Sequence, residues 1–310
     1  MSDALFESVS TFPDSGAMER YEALVGLDSM KEHLEKEAEI MLRPDLLEKW
    51  SKDKHGIRLP ALDLLRRRPP LVIFAGDVGT GKTELAMTFG DRIARQADLP
   101  VDLFCLSLRT RGSGAVGEMT RLISEAFRYV RTKCPKSGTA VKKPTGAAIL
   151  LIDEADSLAQ SRELSQMHHE DRAGVNALIR GIDDIANAKL PCLIVMCTNR
   201  LDALDPAVRR RAAAVFGFER PSLNLREKLL ATNLSGAGLS HGDIATVAVR
   251  LGATKDRPYG FTFSDITQRL IPAIVLAAYP EHKISRELAM RVTDETPPTP
   301  PFKTEDRENG

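Results

Sequence analysis

The stretch PLVIFAGDVGTGKTE at residues 70–84 limits the possible folds of this chain more than any other feature. Residues 71–75 form a continuous apolar run, as expected of a strand that is buried on both faces of a parallel sheet. Residues 76–83 then match the pattern G-x-x-x-x-G-K-[ST], and residues 84–96 have helical spacing. This order predicts a phosphate-binding loop, because backbone N–H groups of a glycine loop and the following helix N-terminus both attract anions.

The side chains of this loop predict a ligand with β- and γ-phosphates, bound together with Mg²⁺. Lys82 is expected to reach the β- and γ-phosphate oxygens, and the hydroxyl of Thr83 is expected to contact Mg²⁺. The other residues of this region that we expect to contact the nucleotide are Asp77, Val78, Gly79, Thr80, Gly81 and Glu84.

The apolar runs beyond the loop predict an α/β fold. Strand-like runs at residues 101–106, 147–156, 192–197 and 215–218 alternate with helical patterns, which is typical of a parallel sheet flanked by helices. Together with the first strand they predict a parallel five-stranded P-loop sheet. Beyond residue 221 the patterns are only helical, which indicates a separate small domain. The predicted organisation is a flexible lead-in at 1–20, a large α/β domain at 21–221, a small all-helical lid domain at 222–292 and a disordered tail at 293–310.

Two carboxylates and an asparagine follow neighbouring strand-like runs. Asp153 and Glu154 end one run, at the position where open α/β sheets bind their ligands. Asp153 is expected to hold Mg²⁺ through water, and Glu154 to activate the attacking water. Asn199 ends the next run and is expected to hydrogen-bond that water or the γ-phosphate. Taken alone, the acidic pair could be a surface feature and the asparagine a turn former. Beside a phosphate loop, they predict hydrolysis at the γ-phosphate.

Three consecutive arginines at residues 209–211 follow Asn199 by about ten residues. An arginine near the γ-phosphate stabilises the charge that develops during phosphoryl transfer. If these arginines lie on the far side of the domain, Arg210 or Arg211 can act only on the nucleotide of a neighbouring copy. A ring closed by heterologous contacts is then the expected assembly.

Composition argues against several other classes of protein. Lys plus Arg and Asp plus Glu both number 43, so the chain lacks the basic excess of a typical nucleic-acid binder. No run of 18 apolar residues predicts a membrane-spanning helix, and the first residues lack the basic start of a secretory signal. None of the four cysteines forms a C-x-x-C pair, so we expect free thiols in a reducing cytoplasm.

The motifs GDVGTGKT, LLIDEADSL, CTN and LDPAVRRR, in this order and spacing, resemble those of the AAA+ ATPases. The resemblance covers roughly residues 21–290. It implies a homo-oligomeric ring of hexamer size that hydrolyses ATP to ADP and phosphate in order to remodel proteins. The upstream YEALVGLDSMKEHL resembles the segment that lines the adenine pocket in that family, which implies this role for Val25, Gly26 and Leu27. The resemblance also favours Arg211 over Arg210 as the arginine that acts in trans.

Within AAA+, residues 150–215 resemble the pachytene-checkpoint ATPases, ring remodellers that unfold part of HORMA-domain proteins. Bacterial relatives of that family accompany HORMA proteins and cyclic-oligonucleotide synthases in antiphage signalling operons. The resemblance therefore implies a HORMA-domain protein as the substrate, which the ring would convert or disassemble.

The chain departs from this family at three places. The first pore loop of threading members carries an aromatic residue, where this chain has Ala115 and Val116; His168 and His169 fall where a second pore loop is expected. The sensor arginine of the lid has no clean match, and Arg269, one helical turn beyond the expected position, is the substitute. About twenty residues before the core are too few for the substrate-recruiting N-terminal domain of eukaryotic members. An adaptor or direct recognition by the pore is then implied.

Three alternative functions remain open from the sequence. A generic unfoldase that serves a protease would need a docking tail, and none is recognisable. A DNA-associated loader would fit a basic surface and a helix-turn-helix region, whereas the net charge is zero. A nucleotide-sensing scaffold without turnover would not need Lys82, Asp153 and Glu154 together.

Overall fold

The computed structural model describes residues 5–108, 117–135, 143–158 and 169–302. In this part of the chain, two compact units are present. The first contains the residues up to Ala75 and Thr83–Gly217; the second contains Gly76–Lys82 and the residues from Phe218 onward. The chain therefore enters the second unit twice, first for the phosphate loop and again from Phe218.

A six-stranded sheet forms the centre of the fold. Its strands, in chain order, are β1 Ser8–Phe12, β2 Leu71–Gly76, β3 Val101–Ser107, β4 Ala147–Asp153, β5 Cys192–Thr198 and β6 Ala212–Phe218. Their order across the sheet is β1-β3-β4-β5-β2-β6. The neighbours β3, β4, β5 and β2 are parallel, and β1 pairs antiparallel with β3 at one edge. The five predicted strands are therefore present, and β1 is an additional sixth.

The register brings the carboxyl ends of three strands to one edge of the sheet. Ile152 of β4 lies opposite Met196 of β5, and Ala75 of β2 lies opposite Thr198 of β5. The side chains that follow β4 and β5 therefore leave the sheet on the same side. This is the edge at which parallel α/β sheets bind ligands.

Helices connect the strands and form most of the second unit. In the first unit they are α1 Ser15–Ala23, α2 Asp28–Leu42, α3 Pro44–His55, α4 Ala61–Arg66, α5 Lys82–Ala97, α6 Glu118–Lys133, α7 His169–Ala188 and α8 Pro206–Arg209. In the second unit they are α9 Leu223–Asn233, α10 His241–Arg250, α11 Ile271–Ala278 and α12 Arg286–Glu295, and a π-helical segment, Asp265–Leu270, leads directly into α11. Strands β4 and β5 are buried along nearly their whole length, which explains their unbroken apolar sequences.

The prediction of a flexible lead-in at residues 1–20 is wrong for the part that the structure describes. Strand β1 pairs with β3 from Ser8 to Phe12, and helix α1 follows it. Asp14 caps α1 by accepting a hydrogen bond from the N–H of Ala17 at 2.8 Å. No sequence signal marks this strand, because Phe12 is the one buried residue of its five.

The second unit is organised around Asp265, which is 1% exposed. Its carboxylate accepts hydrogen bonds from the backbone N–H groups of Thr262 and Thr299, each at 3.0 Å. Burial alone would raise the pKa of Asp265, but these hydrogen bonds and that from the Thr299 hydroxyl outweigh it and lower the pKa below its usual value.

The predicted disordered tail is also wrong for its first residues. Helix α12 continues to Glu295, Thr293 is buried, and Thr299 is hydrogen-bonded to Asp265. The TPPTPP sequence lacks a secondary-structure pattern, but a single buried carboxylate fixes its position. Residues 303–310 lie outside the described part of the chain.

None of the helices in the described ranges combines the length and the apolar character that crossing a membrane requires.

Candidate active site

The phosphate loop connects β2 to α5 and, up to Lys82, belongs to the second unit. Lys82 is buried, and its Nζ lies 2.8 and 2.7 Å from the carbonyl oxygens of Gly76 and Asp77. Gly79 has φ +74°, and a Cβ there would lie 2.7 Å from Oγ1 of Thr262. Glycine is therefore required at position 79 both by the backbone conformation and by the close approach of Thr262.

Arg220 contacts this loop within the same unit and was not predicted from the sequence. Its Nε lies 2.8 Å from Oδ2 of Asp77, and its Nη1 donates to the carbonyl of Gly260. Its guanidinium also lies 5.2 Å from the ring centroid of Tyr259. Asp77 and Arg220 are 143 positions apart, so no local sequence pattern could have connected them.

Thr83 and Asp153 come together in the first unit. Oγ1 of Thr83 lies 3.4 Å from Oδ1 of Asp153, which also accepts the backbone N–H of Glu154 at 2.8 Å. Glu154 has φ +53°, a conformation uncommon for residues other than glycine and often found at functional sites. A hydroxyl and a carboxylate oxygen side by side are donors of the type that Mg²⁺ prefers, so the donor set fits this metal.

Asp156 connects the ends of β4 and β5 and is a second residue that sequence reasoning missed. Its carboxylate accepts from the hydroxyl of Thr198, from the backbone N–H of Asn199 at 3.0 Å and from the N–H of Arg200 at 3.1 Å. It also accepts from the side-chain Nδ2 of Asn199 at 3.0 Å. The available signal was its position, two residues after Glu154 in the run DEAD.

The segment expected to line an adenine pocket is the turn between α1 and α2. Gly26 has φ +79°, Val25 precedes it in the turn, and Leu27 is buried. Lys31 holds the chain just before this turn, because its Nζ donates to the carbonyls of Tyr21 at 2.7 Å and Leu24 at 2.9 Å.

The arginines at 209–211 have different surroundings. Arg211 forms a two-point ion pair with Asp183, with Nε–Oδ1 at 2.8 Å and Nη2–Oδ2 at 2.9 Å, and its Nη1 donates to the carbonyl of Ala207 at 3.0 Å. Arg209 and Arg210 are exposed. The Nε of Arg210 lies 3.4 Å from the carbonyl of Pro206, a long hydrogen bond. The guanidinium of Arg211 is thus held within its own subunit, while that of Arg210 is displayed at the surface.

Two further predicted residues have partners in the chain. Nη1 of Arg269 lies 2.9 Å from Oδ1 of Asp265, and its side chain is 46% exposed. Glu84, on α5, has its Oε1 3.6 Å from Nε of Arg20, and both side chains are partly exposed.

The predicted pore-loop residues cannot be placed. Ala115, Val116 and His168 lie outside the described residues. His169 begins α7, and its side chain also falls outside the described part of the chain. Their role in substrate binding stays a prediction.

Taken together, these features define a class of protein. A glycine loop with a buried lysine precedes α5, and two adjacent carboxylates and an asparagine end neighbouring parallel strands. This combination is that of a P-loop ATPase of the α/β type.

Comparisons with known proteins agree with this class and narrow it. The sequence model described as ATPase family associated with various cellular activities (AAA) matches residues 72–220. CD-NTase-associated protein 6 from Escherichia coli strain MS 115-1 is 53% identical over 97% of this chain and 96% of that protein.

Two solved structures are similar over nearly the whole chain. The Trip13 chain in the HORMA:CdnC:Trip13 complex of E. coli MS115-1 has a TM-score of 0.89 and 52% identity, covering 98% of this chain and 99% of that chain. Rhizobiales Trip13 has a TM-score of 0.73 and 43% identity, covering 96% and 100%. The chain belongs to the AAA+ ATPases of the bacterial Trip13 (pachytene-checkpoint) type, which confirms the predicted family, fold class and ATPase activity.

Proposed function

We propose that this ATPase forms a ring that remodels a HORMA-domain protein in an antiphage cyclic-oligonucleotide signalling system. The supporting observation is its 52% identity, over 98% of the chain, to a Trip13 protein solved in a complex with HORMA and CdnC. The name CD-NTase-associated protein 6, carried by a relative 53% identical to this chain, supports the same system.

In this proposal the phosphate loop binds ATP together with Mg²⁺. Lys82 contacts the β- and γ-phosphate oxygens, and the backbone of residues 77–81 surrounds the phosphates. Thr83 and Asp153, with oxygens 3.4 Å apart, would hold Mg²⁺. The bound metal would neutralise charge on the phosphate oxygens. Val25, Gly26 and Leu27 would contact the adenine base.

Hydrolysis is assigned to the residues at the ends of β4 and β5. Glu154 accepts the proton of the attacking water, and Asn199 orients that water or the γ-phosphate. The strained backbone of Glu154, at φ +53°, supports this role, because such conformations concentrate at functional sites.

Arg210 is the better candidate for the arginine that acts on a neighbouring copy. Asp183 and the carbonyl of Ala207 occupy the guanidinium of Arg211, whereas the side chain of Arg210 is exposed. Through its contacts with Asp183 of α7 and Ala207 of α8, Arg211 would then hold α8 in place, so that the adjacent Arg210 faces a neighbouring subunit. This assignment requires a ring in which each active site is completed by the next subunit, and we expect six subunits.

Substrate handling and location complete the proposal. Ala115, Val116, His168 and His169 would contact the HORMA protein in the pore. Arg269 keeps its predicted sensor role only if it leaves Asp265. The four cysteines are all buried and none forms a disulfide in the described residues, which supports a reducing compartment such as the cytoplasm.

The test uses the purified chain with a preformed complex of its cognate HORMA and CdnC proteins. With ATP and Mg²⁺, we expect the wild-type chain to dissociate the complex, measured by size-exclusion chromatography, while it releases phosphate. Glu154→Gln should bind fluorescent ATP and retain the HORMA protein without dissociating the complex, because only the attacking water loses its base.

Lys82→Ala is the matched control, since it should lose nucleotide binding and therefore both activities. If wild-type protein hydrolyses ATP but leaves the complex intact at a molar excess of ring, the HORMA assignment is wrong. If Glu154→Gln hydrolyses ATP near the wild-type rate, the assignment of the base is wrong.

A further inference from the structure

The carboxylate of Asp156 is saturated with hydrogen bonds from the neighbouring strand end. Four donor groups contact it: the Thr198 hydroxyl, both the backbone and the side-chain nitrogens of Asn199, and the N–H of Arg200. A carboxylate offers about four acceptor positions. Asp156 therefore has no remaining capacity to bind a metal ion or to take a proton from water.

This contact decides the orientation of the Asn199 amide. An ionised carboxylate can only accept hydrogen bonds, so the NH₂ group of Asn199, rather than its Oδ1, must face Asp156. The distance of 3.0 Å from Nδ2 to Oδ2 fits a normal hydrogen bond. The carbonyl oxygen and the second N–H of the amide are then not used by Asp156.

The same contact fixes Asn199 relative to Glu154. Asp156 lies two residues after Glu154 on the short 3₁₀ turn Ala155–Leu158 that follows β4, whereas Asn199 follows β5. The contact between Asp156 and Asn199 therefore joins the ends of β4 and β5, and it fixes Asn199 relative to the chain that follows Glu154. Catalytic groups need such support from their surroundings to stay within about 0.5 Å of the productive position.

We propose that Asp156 is a positioning residue for ATP hydrolysis, which orients Asn199 toward the water that Glu154 activates. It acts through Asn199 and does not itself contact the nucleotide. The inference rests on the proposed roles of Asn199 and Glu154 and adds a residue to them.

A double-mutant cycle tests this inference with purified full-length protein. Asn199→Ala should lower kcat about 10²-fold, the size expected for one lost hydrogen bond to the reacting groups. Asp156→Asn should lower kcat between about 10-fold and 10²-fold, because one of the donor groups then meets an NH₂ group. KM for ATP and the Kd of fluorescent ATP should stay within about twofold. The double variant should have the kcat of Asn199→Ala alone, because Asp156 has nothing left to orient.

Matched variants separate this role from general support of the fold. Asp202→Asn, at an exposed carboxylate three residues beyond Asn199, should leave kcat unchanged. If Asp156→Asn does not fold, Thr198→Val and Thr198→Ser replace it: valine removes a hydrogen bond to Asp156 and serine keeps it. Thr198→Val should lower kcat several-fold in the wild-type background and should not lower it further in the Asn199→Ala background. Thr198→Ser should keep the wild-type kcat.

Three results would overturn the inference. The first is a double variant whose loss of kcat equals the product of the two single losses. The second is a rise in the Kd of fluorescent ATP with Asp156→Asn, and the third is an unchanged kcat in Asn199→Ala. Each of them leaves ATP hydrolysis by Glu154 intact. Failure of the proposed function is recognised separately: a HORMA complex that stays intact while the wild-type protein hydrolyses ATP refutes remodelling, and hydrolysis that persists in Glu154→Gln refutes the assignment of the base.

Discussion

Replacing Phe12 by alanine is expected to lower the free energy of unfolding of the α/β unit by about 3–5 kcal/mol. Phe12 is 2% exposed and ends strand β1, in the segment for which the sequence predicts no structure. Its ring lies directly on helix α5 at Gly90, where a Cβ would come within 2.5 Å of Cε2 and 2.7 Å of Cδ2. Truncation therefore leaves a cavity between β1 and α5, the helix that carries Thr83 at its start.

Gly90 provides the reciprocal perturbation. In the wild-type protein, Gly90→Ala forces its methyl group against the Phe12 ring, and overpacking of this kind costs about 1–3 kcal/mol. In the Phe12→Ala background the methyl group enters the cavity, and Cδ1 of Ile149, 2.9 Å away, is the flexible end of a side chain. Alanine then gains the roughly 1 kcal/mol by which it exceeds glycine in a helix. The two substitutions should therefore be coupled by about 2–4 kcal/mol.

Urea unfolding followed by far-UV circular dichroism measures the four proteins of this cycle. Val9→Ala is the control, because Val9 lies on the same strand and is 46% exposed; it should cost less than about 1 kcal/mol. If Phe12→Ala stays within about 1 kcal/mol of wild type, or if the two substitutions add without coupling, the packing of β1 on α5 is not the one described.

Three other predictions follow from individual contacts. Arg210→Ala should bind ATP normally yet lose most ATP turnover, measured by phosphate release. Mixing Arg210→Ala with Lys82→Ala subunits should recover part of that turnover, and no recovery in confirmed mixed rings would exclude a trans role for Arg210. Asp265→Asn should destabilise the helical unit at pH 7. The difference in stability from wild type should shrink as the pH falls below about 4, because the folded-state pKa of Asp265 is below its unfolded value. An equal difference in denaturant midpoint at pH 3 and pH 7 would contradict this. Burial raises the pKa of the Cys105 thiol to about 11, so iodoacetamide at pH 8 should label it only after unfolding, as read by mass spectrometry; rapid labelling of folded protein would show that the thiol is accessible.

Much of the active site was predictable because its residues follow local patterns. The apolar runs at β2, β4 and β5 predict buried parallel strands, and a polar residue that ends such a run must emerge at the carboxyl edge. Asp153 and Asn199 were proposed as site residues from such positions, and Lys82 from the glycine-loop motif.

The supporting contacts were not predictable in this way. Asp156 and Asn199 are 43 positions apart, and Asp183 and Arg211 are 28 apart. No periodicity connects such pairs, because their contact depends on strand order and on helix packing. The same long-range packing decides that Arg211 pairs with Asp183 while Arg209 and Arg210 are exposed.

The sequence by itself determined the phosphate loop, the α/β class and the family, since each is encoded in a contiguous motif or a regular alternation. Only the tertiary structure decided that β1 joins the sheet. A strand with one buried residue carries almost no hydrophobic signal, yet it gains five residue pairs along β3 and a ring contact with α5. The same holds for residues 293–299, which have no pattern of their own and are fixed by hydrogen bonds to Asp265. The physical reason is that edge strands and irregular segments are stabilised by partners elsewhere in the chain, and those partners come together only after the fold has formed.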